Sequence, residues 1–477
     1  MLNDCSLKVG WAMADITPVK SAALRGQFND RFSNEVRSPL TTTALAVESV
    51  GGAKALPACF IMISFDSVAS SAAIQEMVRQ KFAQRVKGFD PKNIFIMAIH
   101  THTAPYFARN DGGLAFSWPS YNPDIITPEE YADFMTTRMC DAAVEAWEKR
   151  QKGGMSHQLS YAVIGHNRWV VYDNGSARMY GDSNTVFLSG LEGPTDPGVE
   201  LLYFWNEDKA LTGIVANVAC PSQVVESEYY ISPDYWGEVR KRVWETFGSQ
   251  VFVLPMCGAA GDQSPRDMVR RGRGDKNMYA EEGLVEISTR ILNAIQYKYK
   301  DAQQDIDFSP VVKHTLKNIA LPLARVSKDE YESAIIKFDA ILKKYSLDKD
   351  HFSKDGVEFD DLVALFEAEG AIARFNEMNQ SPVWLVESHF VRIGAVAICT
   401  NPFELYTEYG LRIKARSIAT QTLIAQLACD DGGYLPTDRA IKGGHYSAAV
   451  ASGKVGPESG KLYVDYTVGY INGLWDE

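Results

Sequence analysis

The longest apolar runs in this chain, such as 59–65 (CFIMISF) and 394–400, are as long as a β-strand. They fall far short of the roughly 20 residues a membrane-spanning helix requires, so no integral membrane segment is expected. Similar runs recur at 93–99, 201–205, 211–219, 251–256, 383–391 and 395–400, with helical patterns near 73–85, from Pro233 and near 406–418. This alternation predicts an α/β fold in which function sits at strand ends and loops. Two helix starts are well marked. Thr127-Pro128-Glu129-Glu130 reads as a capping box with proline at the first helical position, and Ser232-Pro233-Asp234 repeats the Ser-Pro device.

The 327–380 stretch is charged and helical, broken around 348–356, and reads as a helical pair packed on the main domain with a solvated acidic face. A last helix is expected over 457–474. No internal repeat or low-complexity linker interrupts the 477 residues, so 1–477 reads as a single domain with 327–380 as a helical insertion.

Composition excludes several classes. With 46% hydrophobic and 23% charged residues the chain is an ordinary globular one, not disordered or fibrous. A net charge of −12 without a basic run argues against nucleic acid as a partner. The seven cysteines (Cys5, Cys59, Cys140, Cys220, Cys257, Cys399 and Cys429) show no CxxC pairing and are expected as buried thiols. The first residues, MLNDCSLKVGW, lack a basic stretch followed by an apolar core, so no signal peptide is expected in this form; a leader removed upstream of Met1 keeps export, and with it the compartment, open.

Four clusters follow apolar strands. In Ile99-His100-Thr101-His102-Thr103-Ala104-Pro105, histidines at i and i+2 share a face when extended, which suits a metal ion or proton transfer; a chance pair among eight histidines is the alternative. Gly258-Ala259-Ala260-Gly261-Asp262-Gln263-Ser264-Pro265 can bring backbone N–H groups close to an oxyanion, or can be a tight turn. It has neither the P-loop lysine nor a GxSxG elbow. Glu404, in Asn401-Pro402-Phe403-Glu404, reads as a metal ligand, a base or a helix-start charge. The last cluster is Gly433-Tyr434-Leu435-Pro436-Thr437 with His445-Tyr446 beyond it.

Taken in order, these motifs resemble the catalytic domain of the neutral (alkaline, non-lysosomal) ceramidase family, zinc amidohydrolases of the N-acyl bond of ceramide. The likeness starts at Val9-Gly10-Trp11-Ala12-Met13-Ala14-Asp15-Ile16-Thr17-Pro18, similar to the family's G-x-x-x-x-D-I-T. It runs on through Phe65-Asp66, His100-Thr101-His102, Asn167-Arg168, the G-D-x-S-P-like Gly261–Pro265 turn, the P-G-E-like Pro402-Phe403-Glu404, the tyrosines Tyr434 and Tyr446, and Pro457-Glu458-Ser459-Gly460. It implies a large mixed-sheet domain with helices packed on the sheets. It also implies zinc held by His100, Glu404 and Tyr434, and His102, Arg168, Ser264 and Tyr446 around the scissile carbonyl. Asp66, Asn167, Gln223 and Asp262 are then expected to bind substrate, and either Ser264 or metal-activated water is the nucleophile.

Three departures bear on that expectation. Where the family has a zinc histidine in N-F-A-C-H-P, this chain has Asn217-Val218-Ala219-Cys220-Pro221-Ser222-Gln223, and Pro221 offers no ligand. Asp234 is expected to replace it, with the Cys220 thiolate or Gln223 as alternatives. The family's C-terminal immunoglobulin-like domain is expected to be missing after Tyr446, and the charged helical segment 327–380 has no counterpart in the family; nor is an apolar patch of the kind a ceramide enzyme uses evident. The substrate is accordingly expected to be a small N-acyl, lipid or sugar-like molecule, with Trp118, Tyr121, Trp169 and Tyr172 as loop aromatics able to stack on a sugar. Two rival readings are an ester or glycosidic-bond hydrolase using Glu404, Asp66 or Asp234 as acid and base, and a degenerate binding protein. A homo-oligomer stays open.

Overall fold

The computed structural model describes residues 6–50, 58–109, 114, 118, 124–274, 278–349, 354, 356–444 and 446–476. Cys5, Tyr121 and His445 lie outside them.

Eight strands form the main sheet: β1 (Ser6–Asp15), β2 (Thr41–Val50), β3 (Ala58–Phe65), β4 (Ile94–Ala98), β5 (Gln151–Tyr161), β6 (Gly198–Asn206), β7 (Leu211–Val218) and β8 (Phe252–Cys257). Their order is β8-β7-β6-β5-β1-β2-β3-β4. The middle is antiparallel, and the edge pairs β3/β4 and β7/β8 are parallel. A second sheet joins β9 (Val312–Pro322), β10 (Val383–Ile393), β11 (Val396–Thr400) and β12 (Gln421–Ala425) in that order.

The pleat explains how the two sheets meet. Side chains alternate between faces, so Val9 and Trp11 point one way while Ala12 and Ala14 point the other. The first face, with Leu45, Met62, Phe95, Leu254 and Met256, packs against Val391, Ile393, Ile398 and Leu423 of the second sheet. Helices cover the outer faces. The main sheet carries α1 (Ala72–Arg85), α2 (Pro128–Glu148), α3 (Tyr235–Phe247) and α4 (Ala280–Gln304). The second sheet carries α7 (Thr407–Arg416) and α8 (Pro457–Gly473). The result is four layers, helix-sheet-sheet-helix. The insertion forms a hairpin of α5 (Lys328–Tyr345) and α6 (Phe359–Gln380).

Helix starts follow their caps. Thr127 and Ser327 each close a reciprocal capping box with the glutamate three residues on. The Ser-Pro signal at Ser232 sits two residues early. Asp234, at φ 57°, is the cap of α3, and the Ser232 hydroxyl accepts the Asp234 N–H instead. Among the described residues all six cysteines are free, five of them buried. No described helix is long and apolar enough to cross a membrane.

Candidate functional site

Loops leaving the C-terminal ends of β4, β7, β8 and β11 converge on one end of the sandwich. β4 stops because the chain turns sharply. The His100 and Thr101 N–H groups both donate to the Ser67 carbonyl, at 2.9 and 3.1 Å, and His100 takes a left-handed φ of 70°. A non-glycine residue in that region is strained and is held there by its surroundings. The two histidines therefore meet through a turn, not through the extended backbone that the i, i+2 spacing suggested. Their Nε2 atoms are 3.3 Å apart, and both rings are buried.

Glu404 arrives from the second sheet. Its N–H donates to the Gly433 carbonyl, and the short parallel pairing of Glu404–Leu405 with Tyr434–Leu435 sets its carboxylate beside the Tyr434 phenol. Glu404 Oε2 stands 3.3 Å from His100 Nε2. Burial alone would raise this carboxyl, but His100, then Arg168 and Tyr434, hold it below the usual range. Burial, followed by the Glu404 charge, drives the Tyr434 phenol upward.

Arg168 closes the other side. Its Nη2 donates to the Gly261 carbonyl at 2.9 Å and to Tyr434 Oη at 3.1 Å. The Tyr446 ring meets the Tyr434 ring edge-on, with centroids 5.9 Å apart. Ser264 Oγ accepts from Tyr180 Oη at 3.3 Å and from the Arg266 N–H at 3.2 Å. Gln223 does take up a place in the site, with Nε2 2.9 Å from His102 Nε2. Gly26 leaves room for that imidazole, since a Cβ there would stand 2.6 Å from the His102 ring. Burial first, then His100 and the Arg31, Arg168 and Arg25 cations, push His102 well below its ordinary range, which favours the neutral imidazole.

Other expected residues are committed elsewhere. Asp66 receives both Arg240 nitrogens at 2.8 Å, and Oδ2 also accepts from the Thr41 N–H and hydroxyl. Asn167 donates to Asp262 Oδ2 while Thr407 donates twice to Oδ1, so this pair ties the Gly261–Pro265 turn to α7. Asp234 accepts from the Tyr235 and Val225 N–H groups at 2.7 and 2.8 Å, and burial lifts its carboxyl to about 7. Its oxygens hold the 224–225 backbone. Cys220 is a buried thiol, pushed upward by burial, and its Sγ donates to the Ile164 carbonyl at 3.7 Å. Of the loop aromatics, Trp118 is buried under Arg109, Trp169 lies in the core, and Tyr172 is half-buried.

Sequence reasoning missed Gln27, Tyr180, Glu226 and Arg266. Glu226 Oε1 accepts from Arg266 at 3.0 Å, and Gln27 Nε2 lies 3.3 Å from Glu226 Oε2 and 3.4 Å from His102 Nδ1. These residues sit in loops without periodic signal, and only Arg266, directly after Ser264-Pro265, lies beside a recognisable motif.

The donor set suits a cation. His100 Nδ1 lies 2.7 Å from the Val68 carbonyl; an N–H donated there leaves the Nε2 lone pair facing Glu404. Two lone-pair atoms at 3.3 Å repel each other unless a proton or a cation lies between them. Ligands at zinc–nitrogen and zinc–oxygen bond lengths in a tetrahedron stand about 3.3 Å apart. Among the described residues, the group of three His, Cys, Asp or Glu donors within 4.8 Å of one another is elsewhere: Glu387, His389 and Cys429. There Arg79 already forks onto Glu387 at 2.8 and 3.1 Å.

The structure is similar to that of neutral ceramidase from Pseudomonas aeruginosa, with a TM-score of 0.70, 17% identity, and coverage of 99% of this chain and 75% of that one. It is likewise similar to a ceramidase complexed with C2, with a TM-score of 0.69, 15% identity and the same coverage. No protein-family model and no curated protein matches the sequence.

Proposed function

We propose, on the premise of a neutral ceramidase fold, that this chain hydrolyses the C–N bond of an N-acyl compound with the help of a divalent cation, zinc by the chemistry of the donors. The observation that carries the reading is the facing of His100 Nε2 and Glu404 Oε2 at 3.3 Å, with Tyr434 on the same carboxylate. These three residues would hold the ion and leave a coordination position open, as catalytic zinc sites do. Once bound, such an ion polarises the scissile carbonyl and acidifies water.

The chain's own groups supply the rest. Arg168, fixed by Gly261 and Tyr434, presents positive charge where an oxyanion develops, and Tyr446 stands beside it. His102, neutral and buried, accepts the proton of the attacking water and passes it to the amide nitrogen. The hydroxyl goes to the acyl carbon, the C–N bond breaks, and a carboxylic acid and an amine leave. Water is the nucleophile in this reading, and Ser264, whose Oγ accepts from Tyr180 and the Arg266 N–H, is not called on to attack.

An acid–base pair taken from Asp66, Asp234 and Glu404 would instead serve an ester or glycosidic bond. The bonds at Asp66 and Asp234 favour the amide reading, since they leave Glu404 without a free carboxylate partner from that set.

Metal analysis of untagged protein, alongside turnover of N-acyl amines, tests the reading. About one zinc per chain is expected, lost in both His100→Ala and Glu404→Ala. Failure to take up zinc overturns the cation, and a zinc-loaded protein that cleaves no N-acyl substrate overturns the amide chemistry.

A further inference from the structure

The α5–α6 hairpin does more than rest on the domain. It contacts three loops, two of which carry residues of the site, Gln27 and Tyr446. Lys354, between the two helices, pairs with Asp30 at 2.8 Å and is buried, so the hairpin is bonded to the segment that carries Gln27 and Phe28. Glu369 of α6 accepts the Leu114 N–H at 2.6 Å. Gly370 approaches Ala451 so closely that a side chain on it would collide, which presses α6 against the loop after Tyr446.

Between these anchors lies a block of aromatic rings. The Phe28 ring meets Phe359, Phe366 and Tyr446 with centroids 5.7, 5.8 and 5.7 Å away. Phe366 in turn meets Tyr446 at 5.6 Å, and Tyr446 meets Tyr434. Ring packing therefore continues from the insertion to the phenol that faces Glu404 and Arg168.

The direction of this block relative to the bond being cut gives it meaning. If His102 protonates the nitrogen, the amine lies on the His102 side, and the acyl group lies on the side of Tyr434 and Tyr446. An apolar acyl chain gains roughly fourfold in affinity for each methylene it buries, but only where apolar surface stands open to receive it. Here that surface is already covered by Phe28 and Phe366.

We infer that Phe366 of the hairpin sets the upper size of the acyl group, so the substrate is the N-acyl derivative of a compact acid such as acetate and not of a long-chain fatty acid. This rests on the amide-hydrolase reading.

The experiment measures kcat/KM for N-acetyl, N-hexanoyl and N-dodecanoyl derivatives of one chromogenic amine with zinc-loaded wild type, Phe366→Ala, the milder Phe366→Leu and Phe375→Ala. Phe375 is on the same helix but stacks on Tyr331 with centroids 4.2 Å apart, so it controls for general loosening of the hairpin. The wild type is expected to favour acetyl. Phe366→Ala is expected to raise the dodecanoyl-to-acetyl ratio by at least about tenfold, mostly through KM, with leucine intermediate and Phe375→Ala unchanged. A wild type that favours dodecanoyl, or a ratio unmoved in both Phe366 variants, overturns the inference. If the wild type cleaves none of the three, the amide reading falls. The wall is then judged by saturation-transfer NMR with free acetate, hexanoate and dodecanoate: dodecanoate binding gained in Phe366→Ala sustains it, and no gain sinks it too.

Discussion

His100 Nε2 stands 3.3 Å from Glu404 Oε2 while its other ring nitrogen lies 2.7 Å from the Val68 carbonyl. An N–H donated to that carbonyl sets the tautomer and turns the Nε2 lone pair towards the carboxylate. Glu404→Gln keeps the shape and removes the charge. Zinc affinity is expected to fall by more than roughly 100-fold, because even outer partners of a metal ligand cost 10–100-fold. Competition with a chelating dye reads this directly, and retention of full affinity would exclude Glu404 as a ligand.

Tyr180 is bonded to Ser264 and lies 3.5 Å from Arg168 Nη1. Tyr180→Phe is expected to lower kcat roughly fivefold, the worth of one neutral hydrogen bond of about 1 kcal/mol, with KM nearly constant. A change confined to KM would place Tyr180 in substrate binding instead.

Asp66 and Arg240 form a buried pair, with side chains 0% and 4% exposed. Asp66→Ala strands the guanidinium, and the urea midpoint should report a loss of about 3–5 kcal/mol. The double replacement Asp66→Leu with Arg240→Met is expected to recover most of it. A mild single variant would mean that water reaches the pair.

A second buried network is expected to make stability sensitive to acid. His314 Nε2 lies 2.9 Å from His389 Nδ1, His389 Nε2 lies 3.1 Å from Glu387, and Arg79 forks onto that carboxylate, with Cys429 nearby. Burial first, then His389 and Arg79, push His314 from its usual 6.5 to about 3, and burial also lowers His389. The unfolded chain thus binds protons that the folded one refuses. Stability should be fully present above about 6.5 and drain away as pH falls towards 3. Denaturant midpoints across that window test it, and His314→Phe should flatten part of the slope. A slope unchanged in that variant would assign the acid sensitivity to other groups.

Some of this architecture is legible in the residues alone. β3, β4, β7, β8 and β11 are continuous apolar runs because both of their faces are covered. β1 and β2 are harder to recognise. Their α2-facing positions are small, as Gly10 is where the Ala146 carbonyl comes close, so they carry little hydrophobic signal. α4 shows its stripe of Leu284, Ile287, Ile291 and Ile295 at helical spacing, although its N-cap residue, Tyr279, makes no side-chain capping bond that would mark its start. In the site, His100 and Glu404 follow strands and are therefore findable. Glu226 and Gln27 reach His102 through loop paths that no local pattern encodes. Nor could spacing reveal that Asp66 and Asp234 are consumed by a guanidinium and by backbone N–H groups.

The four-layer arrangement makes the site a gauge of interlayer alignment. His100 hangs from the end of the eight-stranded sheet, and Glu404 follows a strand of the four-stranded one. A strand advances about 3.3 Å per residue, the same length as the gap between the two donor atoms. A slip of a single residue between the sheets would leave each layer well formed and still part the donors. A cation site built on these two donors would therefore form only once both sheets have docked in register.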